Sequence, residues 1–442
     1  MVDLLKRTWI AGLAAALVIV GGVACDAGGG SSPSETPTNV GQTTTATATS
    51  VPGTATGAAA PAEPLPAAVQ EVLDTVAAVR NLTAPPALKA VVVTQEEVAG
   101  ILRDALTDDD RRWFAETTTL YRLLGYLDAD ESYLEIYEGF ASGAVIGLYD
   151  PVEDTLYVVT RGGRGFDELS AGELETLAHE LVHALQDYHF PLDVTAKETQ
   201  DDLDRNLAWI AAVEGDAVTH EGAATRRGML PAGRLYALGD FLRPSALATP
   251  APIERELRFP YTTGANWIAG VKAEGGTAAI DALLADPPAS TAVVLHPERG
   301  ADWQPERPQT RDLTAALGSS WTRESGGSFG EFHWGNFLQT RLRGLEAAAA
   351  AATWKGDRYD IYVRGNDSAA VFSVNAGPGL AAGLRTMLQQ ESEASGEMDG
   401  ELSATLRDGR HFILTPTANG FTLVVGSTKE VADEVARHVQ QP

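Results

Sequence analysis

Cysteine is almost missing from this chain: it occurs once in 442 residues, at Cys25. An intramolecular disulfide is therefore excluded, and so is any metal site built from cysteine pairs. Basic residues are also short. Lys and Arg number 33 against 60 Asp and Glu, a formal net charge of −27. Such an acidic surface repels phosphate and argues against nucleic acid as a partner. Apolar runs of membrane-spanning length are lacking too. The run from Trp9 to Ala24 has 16 residues, below the roughly 20 a helix needs to cross a bilayer. Histidine is scarce, with eight in all, which makes a cluster of them informative. What is plentiful is hydrophobic residue, at 44 %, and the length favours two or more domains.

The single cysteine closes the stretch MVDLLKRTWIAGLAAALVIVGGVAC. Lys6 and Arg7 form a short basic start, the apolar run follows, and the small residues Val23 and Ala24 precede Cys25. That order is the anatomy of a secretory signal peptide. Residues 1–25 resemble a bacterial lipoprotein signal, in which Cys25 is lipidated and becomes the new N-terminus; Gly22 stands where that pattern usually has Leu. Ordinary cleavage nearby and an uncleaved anchor are the alternatives. Residues 26–66 are mostly Gly, Ser, Thr, Ala and Pro, with almost nothing to bury, which predicts a disordered tether. The expected place is the cell envelope: an exported chain anchored by lipid on the outer side of the cytoplasmic membrane.

Apolar periodicity begins near Ala67. Amphipathic helices are expected over residues 66–82, 94–106 and 109–127, where apolar residues recur every three or four positions. GAVIGLYDPVEDTLYVVT reads as two strands joined by a turn at Asp150–Asp154. Ser170 with Glu173 forms a capping box that starts a helix through residue 189, and residues 201–226 carry a second long helical pattern. Arg243–Pro260 is Pro-rich and expected as loop; helix returns over 263–276 and 277–285. The proline-studded residues 296–310 mark the expected end of a first domain, 67–309, and the start of a second, 310–442. In the second, residues 330–354 read as one helix. RYDIYVRG, AAVFSV, HFILTP and FTLVVG read as strands, and 379–390 and 428–439 as helices. The fold class expected is α+β: a mainly helical domain with a small β-hairpin or sheet, then a small α+β unit.

Chemistry concentrates in LAHELVHALQDYHF, residues 177–190. Residues i and i+4 of a helix share a face, so His179 and His183 can point two imidazoles at one metal ion. Glu180 is turned by about 100° from His179 and stands beside that ion rather than on it. A zinc ion with three protein ligands keeps a fourth position for water and lowers its pKa to about 7. Glu180 is then placed as the base, which is the mechanical content of His-Glu-x-x-His.

Two residues compete for the third ligand. His189 lies six residues after His183, the spacing of the metzincin peptidases, whose pattern has a glycine that turns the chain back. Gln186 occupies that position here. A continuing helix carries His189 about 120° around and about 9 Å along, away from the metal face. Met229 lies downstream where a metzincin Met-turn would need a methionine, but RRGML alone says little. Glu214, in AAVEGDA, is the stronger candidate. A carboxylate on an otherwise apolar helix face is costly to bury without a counter-charge, and a metal ion supplies one; a surface position and a buried salt bridge are the alternatives.

GLYDPVEDTLYVV, HELVHALQDYHF and AAVEGDA, supported by FPYTTGANWIAGV, PPASTAVVLHP and AAAATWKGDRYDIY, span roughly residues 90–365. In these segments the chain resembles exported bacterial and archaeal HExxH metallopeptidases of gluzincin type. The resemblance implies a zincin-like domain with zinc on His179, His183 and Glu214, and Glu180 as catalytic base. Many gluzincins have an Asp four residues after the ligand Glu, orienting a zinc-bound His; here that position is Val218, and Asp216 or Glu221 is the expected substitute. Tyr261 and His296 are offered as donors to the oxyanion. The hairpin ending in YVV is expected to offer an edge strand beside the active-site helix, which pairs with an extended peptide.

The expected activity is peptide or protein hydrolysis with Zn2+ as cofactor. The alternative is a non-catalytic binding lipoprotein that keeps the same fold. The pattern carries no oligomer signal.

Overall fold

The computed structural model describes residues 64–439 apart from 145–146, 152, 161–163, 191, 227–248, 392–394 and 399. Cys25 with its signal, the tether up to residue 63, and Met229 lie outside them. The described chain is α+β. Among the described residues, no helix is long and apolar enough to cross a membrane.

The N-terminal half is a helical layer around a small sheet. Helix α1 spans Ala67–Arg80 and strand β1 Lys89–Val93. Next come α2 (Gln95–Ala105), α3 (Asp108–Leu124) and α4 (Tyr133–Ala144). Strands β2 (Gly147–Asp150) and β3 (Thr155–Val159) then precede α5 (Ala171–His189). Thr94, Thr107 and Ser170 start α2, α3 and α5 by the same device. Each side chain accepts from the backbone N–H three residues on, where Glu97, Asp110 or Glu173 reaches back. Two orphan N–H groups are satisfied at each start.

After α6 (Leu192–Thr199) comes α7 (Leu203–Arg226), which packs directly on α5, with α1 against both. Glu175–Gln186 of α5 and Asn206–Ala217 of α7 are buried on every side. A helix that is covered all round lies at the centre of its layer. Helix α8 (Ala251–Phe259) runs through a π-turn, Pro260–Gly264, into α9 (Ala265–Ala285). Gly276 breaks α9 with φ 67°, a left-handed conformation open to glycine at little cost. This is the join between the two helical stretches expected there.

The first sheet has the order β1-β3-β2, with β1 parallel and β2 antiparallel to β3. The second, C-terminal sheet is antiparallel throughout. It contains β4 (Thr322–Gly327), β5 (Trp354–Arg364), β6 (Asp367–Ala376), β7 (Ser395–Met398), β8 (Glu401–Thr405), β9 (His411–Thr417) and β10 (Gly420–Gly426). Their order is β4-β5-β6-β10-β9-β8-β7. Side chains alternate across it with period two. Ala370, Phe372 and Val374 of β6, and Leu423 and Val425 of β10, join the core shared with the helical layer. Ala369 and Val371 of β6 and Val424 of β10 pack instead with Val431 and Val435, from the last helix.

Helices α11 (Gly330–Leu338) and α13 (Pro378–Glu391) cover one face, and α14 (Lys429–Val439) the other. One continuous core runs from Val69 in α1 to Val425 in β10. It crosses the boundary expected after residue 309, where the Asp204 N–H also donates to the Ser328 carbonyl at 3.2 Å.

Two local expectations are corrected. Residues 251–259, expected as loop, form α8: Pro250 and Pro252 sit at its start, where a missing N–H costs nothing. Residues 330–354, expected as one helix, form α11 and α12 (Gly344–Ala351), and Trp354 opens β5. Between them the chain turns at residues 339–343. The Thr340 hydroxyl donates to the Phe337 carbonyl at 2.7 Å, and Arg343 is extended with ψ 147°. Burial of Trp334, Phe337 and Leu338 fixes α11 against the sheet, and Gly344, a poor helix former, begins the next segment. Short helix α10 (Thr291–Leu295) caps its first turn through Ser290.

Candidate metal centre

His179 and His183 lie one turn apart in the buried stretch of α5, with ring centroids 4.8 Å apart. Glu214 enters from α7, which packs alongside. The ligating atoms of His179, His183 and Glu214 all lie within 4.8 Å of one another, and all three residues are buried. His179 Nε2 is 3.1 Å from Glu214 Oε2, and His183 Nε2 is 3.5 Å from Oε1. Burial alone would push both imidazoles toward their neutral forms. The carboxylates outweigh it: Glu221 and Glu214 hold His179 up at about 10, and Glu214 raises His183. Burial likewise works against the charge on Glu214, but His183 and His179 hold its carboxyl below the usual range. These directions record a negative potential focused on two imidazoles, which is what draws a divalent cation. Two nitrogen donors and one carboxylate fit such an ion.

A further ring of contacts aims the ligands. His179 Nδ1–H donates to Glu221 Oε2 at 2.5 Å, which leaves Nε2 facing Glu214. His183 Nδ1–H donates to Gln186 Oε1 at 2.8 Å. Gln186 is fixed in turn: its Nε2 donates to the Val213 carbonyl at 3.0 Å and to Asp216 Oδ2 at 2.9 Å. With the amide nitrogen committed, only its oxygen is left for His183, and the tautomer follows. Asp216 also accepts from Arg80 Nε at 2.9 Å and pairs with His220 Nδ1 at 2.7 Å. Arg80 reaches Asp281 at 2.6 Å, and Lys272 Nζ donates to His220 Nε2 at 2.7 Å. Burial works against the Asp216 charge, but His220 and Arg80 outweigh it and hold its carboxyl down at about 2.

Glu221 therefore meets a candidate ligand directly, while Asp216 acts at one remove, through Gln186. Sequence reasoning missed Gln186 and Arg80. Gln186 was open to discovery, because i and i+3 share a helix face. Arg80 was not, since its partner lies 136 residues away. Gln186→Leu removes the acceptor for His183 and is expected to lower divalent-cation affinity about 10- to 100-fold. Competition against a chelator of known affinity measures it, and unchanged affinity would remove Gln186 from this role.

Glu180 points to the same place from beside the ligands. Its Oε2 accepts from the Tyr149 N–H of β2 at 3.0 Å, and its Oε1 is buried without a hydrogen-bond partner. Burial raises its pKa, toward the range where a carboxyl can both take and return a proton. Strand β2 comes this close because residue 147 is glycine: a Cβ there would sit 2.9 Å from Glu180 Cγ. The edge strand beside α5 is thus β2, while β3, which ends in YVV, is central.

Tyr261 reaches the centre through a second close approach. A Cβ on Gly215 would lie 2.6 Å from the Gly264 carbonyl oxygen, so two glycines let the π-turn settle on α7. The Tyr261 ring then stacks near His179, with centroids 6.3 Å apart and planes 28° apart. Burial, with the charges of Glu214 and Glu180, keeps its phenol protonated far above the usual range.

His296 is not brought to this cluster. Its Nε2 lies 2.6 Å from Glu331 Oε1 and its Nδ1 3.6 Å from Glu298, because α10 ends at Leu295 and the residue that caps it faces α11. His189 also points elsewhere, with Nε2–H donating to the Thr83 carbonyl at 2.8 Å, as an uninterrupted helix requires. The chain matches no family model, no curated protein and no solved structure.

Proposed function

We propose that this chain is a zinc-dependent peptidase of gluzincin type, built on a zincin-like fold. One observation carries the reading: Glu180 stands beside a buried His179–His183–Glu214 donor set without belonging to it. A zinc ion held by His179, His183 and Glu214 would supply Lewis-acid chemistry and lower the pKa of a water to about 7. Glu180 takes a proton from the attacking water as the water oxygen bonds to the carbonyl carbon, and returns it to the amine nitrogen as the C–N bond breaks. The Tyr261 hydroxyl, kept protonated by its surroundings, donates to the carbonyl oxygen as negative charge develops on it. Gln186 and Glu221 hold the two imidazoles in the tautomer that turns Nε2 inward. The edge strand β2 aligns an extended peptide by backbone hydrogen bonds. Cys25 places the enzyme at the envelope, lipid-anchored outside the cytoplasmic membrane. The test is a paired assay of the parent and Glu180→Gln on a broad peptide library. Turnover by the parent alone supports the peptidase; equal turnover by both would overturn Glu180 as base.

A further inference from the structure

We propose that a cavity between the helical layer and the C-terminal sheet binds a small carboxylate with an apolar tail. The cavity has a volume of about 270 Å³ and lies between the end of α3, the start of α8, the turn after α11, helix α13 and strand β9. Leu124, Tyr126, Phe337, Met387 and Phe412 give it an apolar wall. Three guanidinium groups, of Arg255, Arg341 and Arg410, line the same space. Arg410 is already paired with Asp408 at 2.5 Å, but in a chain of net charge −27 the gathering of further cations in this cavity needs a reason.

Arg255 supplies it. Its Nε donates to Asn336 Oδ1 at 2.6 Å and its terminal nitrogen to the Asn336 carbonyl at 3.3 Å. Asn336 is tied to the Pro252 carbonyl at 2.9 Å. The guanidinium is thus aimed by neutral groups; among the described residues Glu254 acts on it through space, while its hydrogen bonds go to Asn336. It is half-buried, which pulls its pKa down, and an anion in the cavity would offset that cost. Tyr126 adds a second unmet donor on the same wall: its hydroxyl is buried and has no partner. Arg410 is pinned nearby, donating to the Leu123 carbonyl at 2.9 Å. Gly125, with φ 77°, leaves room for that guanidinium, since a Cβ there would come within 2.3 Å of it.

A planar guanidinium fork matches a carboxylate. The volume sits at the low end for ligand sites, which suits a short chain or single ring and not a peptide. Binding is read without hydrolysis, so the inference stands apart from the proposed peptidase.

The experiment is isothermal titration of the purified protein with octanoate, octylammonium and acetate. Octanoate is expected to bind saturably at one site per chain, and the other two at least about tenfold more weakly. Arg255→Gln is expected to weaken octanoate at least about tenfold. Thr340→Trp, which adds bulk to the lining from a partly exposed position, should do the same. If Arg255→Gln fails to fold by circular dichroism, Thr340→Trp decides. Octylammonium or acetate binding as tightly as octanoate would overturn the proposal. So would parent affinity in the folded variants, or no saturable octanoate binding.

Discussion

Glu180→Gln is expected to keep its zinc and to lose peptide hydrolysis by roughly 10²- to 10⁴-fold, the usual contribution of a positioned acid–base group. The amide has the shape of the carboxylate, so its oxygen can still accept from the Tyr149 N–H. The proposed ligand atoms belong to His179, His183 and Glu214, and none of them is touched. What disappears is the ability to take a proton and give it back. The loss should therefore fall on kcat, with KM near that of the parent. Steady-state kinetics with parallel metal analysis separates this from metal loss. A variant that hydrolyses as fast as the parent would show that another group is the base.

Arg80→Met is expected to destabilise the fold by up to about 3–5 kcal/mol, the range for removing one partner of a buried ion pair. Arg80 is fully buried, as is Asp216, its partner at 2.9 Å. Removing the guanidinium leaves the Asp216 carboxylate with His220 and Gln186 as its remaining partners and loosens the anchor of Gln186. Chemical denaturation gives the magnitude. The double variant Arg80→Met with Asp216→Leu removes both charges and should recover a large part of the loss. A single variant as stable as the parent would show that this ion pair holds nothing together. Helix α1 lies nearly 100 residues before His179 in sequence, yet it belongs to the support of the centre.

How much of this was legible in the sequence follows from the range of the interactions. His179, Glu180 and His183 were readable because helix geometry alone puts them together, and Ser170 with Glu173 marks where that helix starts. Glu214 was readable because a carboxylate among Ala and Val residues asks for a counter-charge. Glu221 was within reach on the same face of α7. Gln186 stood in the sequence as the residue that is not glycine, which correctly turned His189 away. Its grip on His183 depends on Val213 and Asp216 in another helix, and spacing cannot show that. Tyr261 and His296 stood as equals in sequence. Tertiary contacts separate them: Gly215 and Gly264 bring Tyr261 to His179, while α10 delivers His296 to Glu331.

Strands β5, β6, β9 and β10 alternate strongly and were visible. Strand β4, Thr-Arg-Glu-Ser-Gly-Gly, has no apolar period and exists through its pairing with β5. The seven-stranded order likewise rests on pairings between distant segments.

The most direct test of the account is a zinc titration of three purified proteins: the parent, Glu214→Ala and His189→Ala. The parent and His189→Ala should each bind one zinc ion per chain with equal affinity, and Glu214→Ala should bind at least about 100-fold more weakly. Parent-like affinity in Glu214→Ala, or loss of zinc in His189→Ala, would contradict the ligand set on which the proposed chemistry depends.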